Sequence, residues 1–271
     1  MILWLSSYPK SGNTWVRSLI SNYINYKNGK SVFENLKYIK RFPNQSQFDW
    51  IEDKEILKKD KFEISKYWIP AQERLNLKNE FTILKTHNFG GSIKEKWFTN
   101  SDNTCGFIYI IRDPRSVVIS KSFHHDNSIE ESLKSLISPN TFVDTEHDLI
   151  EFRSSWQIHY LSWVKRTYPN ILVKYEELHS NTFDTFKKIL VFLNQFKKIE
   201  INDDKIKDVI ELCSFDKLSA EETKYGFKEN QGRENFFRKG LIDEWKNVLT
   251  KDQIKIIEDN FKDEMVSLGY L

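Results

Sequence analysis

The chain has 271 residues, 39% of them hydrophobic and 14% aromatic, which is too apolar for a disordered protein and long enough for one large α/β domain. Its 41 Lys and Arg residues nearly balance its 39 Asp and Glu residues, and the net charge of +2 argues against a protein that coats nucleic acid. Cys105 and Cys213 lie far apart, which excludes a disulfide scaffold and a cysteine-based zinc site and is typical of a reducing compartment. The apolar start is too short for a signal peptide, and no run approaches the roughly 18 apolar residues of a membrane span. We therefore expect a cytoplasmic protein without a membrane span.

Four short apolar runs, each followed by polar residues, predict buried parallel strands. They cover residues 2–6, 81–85, 106–111 and 171–174. Apolar residues at helical spacing predict helices over residues 15–26, 117–123, 152–168, 182–196, 204–212 and 252–268. Alternating strands and helices imply a single α/β domain of three layers over residues 1–271, with a central parallel sheet. We expect residues 27–79, which are charged and weakly periodic, to form a helical insertion.

The loop between the first strand and the first helix has the features of an anion site. Pro9 fixes the backbone φ there, and Gly12 is free to adopt a positive φ. We expect Asn13 or Thr14 to cap the helix, so that backbone N–H groups, the positive helix end and the Lys10 ammonium point at one ligand, most naturally a phosphate. Because Lys10 precedes Gly12, the order is the reverse of the nucleotide P-loop. An ordinary turn with a solvated lysine is the alternative.

The loop sequence Tyr-Pro-Lys-Ser-Gly-x-Thr-Trp at residues 8–15 resembles the phosphosulfate-binding loop of sulfotransferases that use 3′-phosphoadenosine 5′-phosphosulfate (PAPS). Asn13 stands where this family usually has Thr, and it keeps a polar side chain there. The resemblance implies a P-loop-like α/β fold related to nucleotide kinases, PAPS as co-substrate, adenosine 3′,5′-bisphosphate (PAP) as product, and no metal. It also implies that the cofactor is contacted by Lys10, Ser11, Gly12, Asn13, Thr14 and Trp15.

A second strand-to-helix junction surrounds Arg112, which follows the strand end, where parallel α/β folds place ligands. Asp113 is a natural N-cap and Pro114 a natural first helical residue. Arg112 and Ser120 can clamp one phosphate, and a structural ion pair of the arginine is the alternative. The pattern resembles the 3′-phosphate motif of the same family, which implies the phosphate role for both residues. We expect Arg115 to form a surface ion pair.

Near the C-terminus, Arg238-Lys239-Gly240 resembles the family signature that closes over the same 3′-phosphate, and adjacent cations before a glycine suit an anion. In isolation, such a pair would be an ordinary exposed turn. The family usually continues with Gly-Asp-Trp-Lys, whereas Asp-Glu-Trp-Lys stands at 243–246 here. We expect the extra carboxylate of Glu244 to weaken the attraction for phosphate slightly.

The second predicted strand ends in Lys-Thr-His, which resembles the catalytic strand of the family. The implied reaction is transfer of a sulfuryl group from PAPS to a hydroxyl or amine. A hydroxyl needs a base, and histidine titrates near neutral pH, so we expect His87 to be the base. Lys10 would neutralise the leaving phosphate, and Lys85 would polarise the sulfuryl oxygens. An ordinary loop histidine is the alternative, and the pair Gly90-Gly91 predicts a flexible acceptor edge.

Flat apolar side chains are expected to contact the adenine. The resemblance implies Trp15, Tyr175 and Phe215 for this role, and plain core is the alternative for each. His124 and His125 are adjacent, and we expect them at a helix surface or in the acceptor pocket, without a metal. The acceptor is expected to be a small or lipid-like molecule, with sugars, phenols, alcohols and amines all open.

Two other functions stay open at this point. A P-loop-type small-molecule kinase would suit the strand-loop-helix start, although the chain lacks Gly-Lys-Ser/Thr and an evident carboxylate partner for Mg²⁺. A non-catalytic nucleotide-binding module would be favoured if His87 pointed away from the anion pocket.

Mobility and assembly are also predicted. Residues 225–237 lack periodicity and lead into the Arg-Lys-Gly signature, so we expect a mobile lid. Members of the family often dimerise through Lys-x-x-x-Thr-Val-x-x-x-Glu. This chain has Lys246 and Thr250, but Lys251 replaces the Val and Lys255 replaces the Glu. Because the second change reverses a charge, we expect a monomer.

Overall fold

A computed structural model of the protein describes residues 1–25, 31–52, 60–78, 80–144, 149–230 and 235–271. Its strands are β1 (Ile2–Ser7), β2 (Lys40–Arg41), β3 (Thr82–Thr86), β4 (Ser92–Ile93), β5 (Lys96–Trp97), β6 (Thr104–Ile111), β7 (Phe142–Asp144), β8 (Ile150–Phe152) and β9 (Asn170–Lys174). Five of them form a parallel sheet in the order β2-β3-β1-β6-β9. β4 and β5 form one short antiparallel pair, and β7 and β8 form another. The first strand therefore lies in the centre of the sheet.

Helices connect and cover the strands. They are α1 (Asn13–Ile24), α2 (Trp68–Asn76), α3 (Pro114–His125), α4 (Ile129–Ile137), α5 (Trp156–Val164), α6 (Tyr175–Ser180), α7 (Thr182–Leu193), α8 (Asp203–Leu212), α9 (Phe215–Tyr225), α10 (Trp245–Val248) and α11 (Lys251–Ser267). Short 3₁₀ turns cover Val32–Tyr38, Gln45–Gln47 and Lys61–Tyr67. Within the described residues, no helix is both long and apolar enough to span a bilayer.

Side chains of β1 alternate between two apolar cores because successive residues of a strand point to opposite faces. Ile2 and Trp4 enter one core, and Leu3 and Leu5 enter the other. Helices α2, α3, α5 and α11 close the first core, and α1, α7 and α8 close the second. Both faces of the sheet are thus covered, which is why its strands are continuous apolar runs in the sequence. The predicted three-layer α/β architecture is confirmed.

The segment predicted as a helical insertion also supplies an edge strand. Lys40 and Arg41 of β2 pair in parallel with Leu84 and Lys85 of β3. Two residues are too few to show periodicity, so the sequence could not predict this strand. Residues 26–30, 53–59 and 79 of the insertion lie outside the described residues.

Most predicted boundaries shift by a few residues, and one shift has a clear cause. The helix predicted at 152–168 begins only at Trp156, because Phe152 ends β8 and the side chain of Ser155 caps α5. It ends at Val164, four residues before the Tyr168-Pro169 step, whose proline disfavours helix before it. The predicted cap at Asp113 is confirmed, since its side chain accepts a hydrogen bond from the backbone N–H of Arg115.

Candidate active site

A cavity of 1070 Å³ lies where β1, β3 and β6 end, at the carboxyl edge of the sheet. Because these strands are parallel, the loops that follow them meet at this edge. Almost all the residues singled out in the sequence line the cavity, namely Lys10, Gly12, Asn13, Thr14, Trp15, Lys85, His87, Arg112, Ser120, Tyr175, Phe215, Arg238, Lys239 and Gly240. Ser11 does not line it, and its buried hydroxyl has no hydrogen-bond partner among the described residues.

The loop after β1 is held by a glycine rather than by a polar cap. Gly12 is the N-cap of α1 with φ of 99°, and no side chain caps the helix, so the predicted cap at Asn13 or Thr14 was wrong. The side-chain amide of Asn13 instead donates to the carbonyl oxygen of Leu5 at 3.1 Å and ties the loop to β1. A Cβ on Gly12 would lie 2.5 Å from Cδ2 of Tyr175, so both the backbone and the neighbouring ring require glycine.

Lys10 places a partly buried amino group in this loop. Its Nζ lies 3.8 Å from the centre of the Phe236 ring. Burial, together with the charges of Arg112 and Lys85, lowers the pKa of Lys10 to about 7. The loop therefore concentrates positive charge that a bound anion would relieve.

Arg112 connects the first loop to the C-terminal signature. Its Nη1 donates to the carbonyl oxygen of Lys10 at 3.2 Å, and its Nη2 donates to that of Leu241 at 2.8 Å. The guanidinium stacks on the Tyr175 ring at 4.3 Å, and its Nε is buried without a hydrogen-bond partner in the described part of the chain. Its contacts there are to carbonyls and a ring, so the structure does not support the structural ion pair.

Arg115 forms the expected ion pair, but in a buried position. Its Nη2 lies 2.7 Å from Oδ2 of Asp113, and its Nη1 lies 2.6 Å from Oε1 of Glu258. The guanidinium also stacks on Trp245 at 3.9 Å. The predicted surface location was wrong because α11, far away in the sequence, covers the start of α3.

Glu244 bridges the two cations of the C-terminal signature. Its Oε1 lies 3.0 Å from Nη1 of Arg238 and 2.8 Å from Nζ of Lys239. Although burial raises the pKa of Glu244, these two bonds hold it below its usual range. Arg238 also stacks on the Phe123 ring at 3.9 Å. The carboxylate thus contacts both expected phosphate ligands, and its effect on phosphate affinity stays a prediction.

His87, directly after β3, has a defined orientation. Its Nδ1 lies 2.9 Å from the carbonyl oxygen of Ser7. Since a carbonyl only accepts, Nδ1 carries the proton of the neutral ring and Nε2 keeps a lone pair. The backbone N–H of His87 donates to Oε1 of Glu151 at 3.3 Å, and its carbonyl accepts from Nε2 of His159 at 3.1 Å. Burial and nearby cations lower the pKa of His87 to about 3, so the ring is unprotonated at neutral pH and can accept a proton.

The ammonium group of Lys85 forms an ion pair in the cavity. Its Nζ lies 2.6 Å from Oε2 of Glu229, whose other oxygen pairs with Arg17. Burial lowers the pKa of Lys85. Burial raises the pKa of Glu229, but the two cations outweigh this effect and hold it below its usual range. Glu229, which belongs to the predicted lid segment, therefore balances the charges of Lys85 and Arg17, two buried residues of the rest of the domain.

Gly90 and Gly91, which follow His87, allow close packing of the chain and do not form an open edge of the cavity. The N–H of Gly90 donates to Oγ of Ser162 at 2.7 Å. A Cβ on Gly90 would lie 2.9 Å from the Ser162 carbonyl oxygen, and one on Gly91 would lie 2.2 Å from Cε2 of Phe89. This segment is held against α5, contrary to the predicted flexible edge.

The three aromatic residues predicted to contact the adenine, Trp15, Tyr175 and Phe215, all line the cavity. Trp15 contacts Tyr175 edge-on with ring centres 5.9 Å apart, and its indole N–H donates to the carbonyl oxygen of Cys213 at 3.0 Å. Phe215 packs on Gly240, where an added Cβ would lie 2.7 Å from its ring. Of the three, Tyr175 also contacts the guanidinium of Arg112.

His124 and His125 occupy the last turn of α3 and line the cavity. Of the two predicted locations, a helix surface or a pocket, the pocket is the one observed. Burial lowers the pKa of His124 to about 3 and that of His125 to about 4. In the part of the chain that the structure describes, no group of three or more His, Cys, Asp or Glu side chains is arranged to hold a metal ion.

Sequence reasoning missed several charged residues of the site. They lie outside the recognised motifs and are Arg17, Arg41, Glu151, Arg153 and Glu229. Arg17 is the one with a local signal, because it lies three residues after Thr14 on α1 and so shares its face. The others come together only through the fold.

Comparison with known proteins agrees with this geometry. The Sulfotransferase domain family matches residues 2–269. Cytosolic sulfotransferase 5 of Arabidopsis thaliana is 26% identical over 98% of this chain and 80% of its own length. Flavonol 3-sulfotransferase of Flaveria bidentis is 27% identical over 98% of this chain and 82% of its own length.

Two solved structures share the fold. The mouse sulfotransferase SULT7A1 complexed with PAP has a TM-score of 0.60 at 19% identity, over 97% of this chain and 84% of that one. Retinol dehydratase in complex with androsterone and the inactive cofactor PAP has a TM-score of 0.64 at 19% identity, over 97% of this chain and 80% of that one. With a family match that spans nearly the whole chain, the protein belongs to the sulfotransferase family.

Proposed function

We propose that the protein transfers the sulfuryl group of PAPS to a hydroxyl or amine of a small-molecule acceptor, with His87 as the base. One observation carries the proposal. The four cations that the sequence assigns to phosphate binding share a single cavity with an unprotonated histidine, at the carboxyl edge of a parallel sheet. PAP in the solved structures of two similar proteins supports PAPS as the co-substrate.

The donors in the cavity fit a polyanion such as PAPS. Nε of Arg112 is buried without a hydrogen-bond partner among the described residues, and the positive φ of Gly12 opens the helix end to a ligand. Oγ of Ser11 is likewise buried without a partner in the described part of the chain, in the loop between Lys10 and Gly12, which both line the cavity. We assign the 5′-phosphosulfate to Lys10, Ser11, Gly12, Asn13 and Thr14. We assign the 3′-phosphate to Arg112, Ser120, Arg238, Lys239 and Gly240, and the adenine to Trp15, Tyr175 and Phe215.

Bound PAPS supplies the sulfuryl group and a phosphate leaving group. The acceptor oxygen forms a bond to sulfur as the bond between sulfur and the 5′-phosphate oxygen breaks, and the acceptor proton passes to Nε2 of His87. Lys10 stabilises the charge that gathers on the leaving phosphate, and Lys85 polarises the sulfuryl oxygens while it shares its charge with Glu229. Because a polyanion stabilises the imidazolium, the pKa of His87 rises in the complex, which makes it a stronger base there.

Binding and turnover assays test the proposal. Titration calorimetry without metal should detect PAP binding, with no comparable binding of ATP in the presence of Mg²⁺. Labelled PAPS with a panel of hydroxyl and amine acceptors should give labelled product. Preferential binding of ATP with Mg²⁺ would support the kinase alternative, and PAP binding without transfer to any acceptor would support a non-catalytic module.

We predict that PAP affinity falls as the pH rises above about 7. The pKa of Lys10 is about 7 in the free protein, and a neighbouring phosphate raises it, so binding at pH 8 takes up a proton. Above the free pKa, affinity should fall by up to about tenfold per pH unit until the raised pKa is reached. Calorimetry at pH 8 in two buffers of different ionisation enthalpy measures the proton uptake. Unchanged uptake in Lys10→Met would show that another group titrates.

Gly240→Ala should weaken PAP binding, whereas Gly269→Ala should not. Both glycines have positive φ, of 66° and 69°, so alanine costs each about 1–3 kcal/mol of stability. Only at Gly240 would the new Cβ displace Phe215, whereas a Cβ on Gly269 would lie 3.8 Å from Nζ of Lys174, an ordinary contact. Since stacking on a base is worth about 1–3 kcal/mol, Gly240→Ala should lose roughly 10-fold in affinity. Calorimetry with PAP on both folded variants measures this, and equal affinities would remove Phe215 from the adenine site.

Three further features are proposals. We propose that 225–237 acts as a lid, of which residues 231–234 lie outside the described residues. Its described part packs on the body through Phe227, whose ring centre lies 4.8 Å from that of Phe33.

We also propose that the protein is a monomer, because Lys251 and Lys255, which replace the Val and Glu of the family dimer motif, are exposed on α11. We propose a cytoplasmic location as well.

A further inference from the structure

Arg153 lines the cavity from the segment between β8 and α5, which several hydrogen bonds hold in place. Its backbone N–H and that of Ser154 both donate to the carbonyl oxygen of Thr141 at 2.9 Å. The hydroxyl of Ser154 donates to the carbonyl oxygen of Pro139 at 2.8 Å, and Ser155 caps α5. Only 7% of Arg153 is exposed, yet it lines the same cavity as His87. Its position is therefore set by the fold rather than by solvent.

The charge of Arg153 is incompletely balanced. Its Nε and Nη2 donate to Oε2 of Glu151 at 3.3 and 3.2 Å, but the same oxygen also accepts from Nη2 of Arg41 at 2.9 Å. One buried carboxylate thus serves two guanidiniums. Nη1 of Arg153 is buried and has no hydrogen-bond partner among the described residues. An unpartnered donor on a buried cation is costly, and a bound anion would relieve that cost.

Apart from the carboxylate of Glu151, the charged groups around Arg153 are basic. Burial, together with the charge of Arg153, lowers the pKa of Lys121 to about 7. Burial is also the main reason why the pKa values of His125 and His87 are lowered, and the charge of Arg153 adds to this effect. Lys121 is 4% exposed, and its ammonium contacts the hydroxyl of Ser135. The field around Arg153 therefore favours a negative ligand.

Arg153 lies on the side of the base. Its partner Glu151 uses its other oxygen, Oε1, to accept the backbone N–H of His87. The residues assigned to the cofactor phosphates instead follow β1 and β6 or belong to the C-terminal signature. Because no cofactor phosphate is assigned to Arg153, this residue is available to contact the acceptor.

We propose that the acceptor carries an anionic group of carboxylate type as well as its hydroxyl or amine, and that Arg153 binds this group. The proposal rests on the sulfotransferase function proposed above and names the substrate class of that site. It narrows the acceptor from small or lipid-like molecules to small anionic ones. One charge-assisted hydrogen bond should favour the anion over a neutral analogue by about 10- to 100-fold.

The test uses acceptor pairs that differ in a single charge. para-Hydroxybenzoate is compared with para-hydroxybenzamide, and para-hydroxyphenylacetate with para-hydroxyphenylacetamide. Titration calorimetry measures the dissociation constants with and without saturating PAP, and labelled PAPS measures turnover of the same compounds. In the wild-type protein, the carboxylate should bind about 10- to 100-fold more tightly than the amide for at least one pair.

Two variants and a matched control assign the preference to Arg153. Arg153→Met should bring the ratio of carboxylate to amide affinity close to one, and Arg153→Lys should keep part of it. Lys37→Met removes an exposed cation from the same cavity and should leave the ratio unchanged, since solvent screens that charge. An unchanged affinity for PAP shows that Arg153→Met is folded.

The outcomes separate this proposal from the proposed function. A wild-type ratio near one for both pairs, or a ratio that survives in Arg153→Met, overturns the role of Arg153 whatever the turnover. Loss of PAP binding or of all sulfuryl transfer in the wild-type protein would instead contradict the proposed function, while the ratio without PAP would still decide the anion preference.

Discussion

His87→Ala should lower kcat by about 10²- to 10⁴-fold, because removal of a general base typically costs that much. PAP affinity should stay nearly unchanged, since the phosphate-binding residues lie on other loops. Steady-state kinetics with labelled PAPS and a good acceptor measure kcat, and calorimetry measures PAP affinity.

His124→Ala is the matched control for this prediction. His124 also lines the cavity, and burial likewise lowers its pKa to about 3, but it lies on α3 rather than directly after β3. Its removal should change kcat by less than about tenfold. If His87→Ala loses less than tenfold, another residue is the base, or the acceptor is acidic enough to need none.

Arg112→Ala should weaken PAP binding by about 10- to 100-fold, because a charge-assisted contact to a phosphate is worth about 1.5–3 kcal/mol. The affinity for AMP, which lacks the 3′-phosphate, should fall much less. Competition titrations with both nucleotides on wild-type and variant protein measure the two affinities.

Arg115, close to Arg112 in the sequence, provides the control for this prediction. Arg115→Ala breaks buried ion pairs to Asp113 and Glu258, so it should lower stability by about 3–5 kcal/mol. In protein that remains folded, the preference for PAP over AMP should be kept. Equal affinity of the wild-type protein for AMP and PAP would contradict the assignment of the 3′-phosphate to Arg112.

Local patterns in the sequence determined the fold class and the motif residues of the site. The apolar runs of β1, β3 and β6 predicted parallel strands, and residues that directly follow such strands must meet at one edge of the sheet. This is why the sequence alone predicts that Lys10, His87 and Arg112 lie close together.

Only the tertiary structure decided which charges meet. Glu229 reaches Lys85 and Arg17 across 144 and 212 residues of chain, and Glu151 reaches Arg41 across 110. Arg115 is buried because α11 packs over it. Contacts of this kind arise when separate elements pack together, and neither periodicity nor spacing in the sequence records them, so the motifs could not predict these ion pairs.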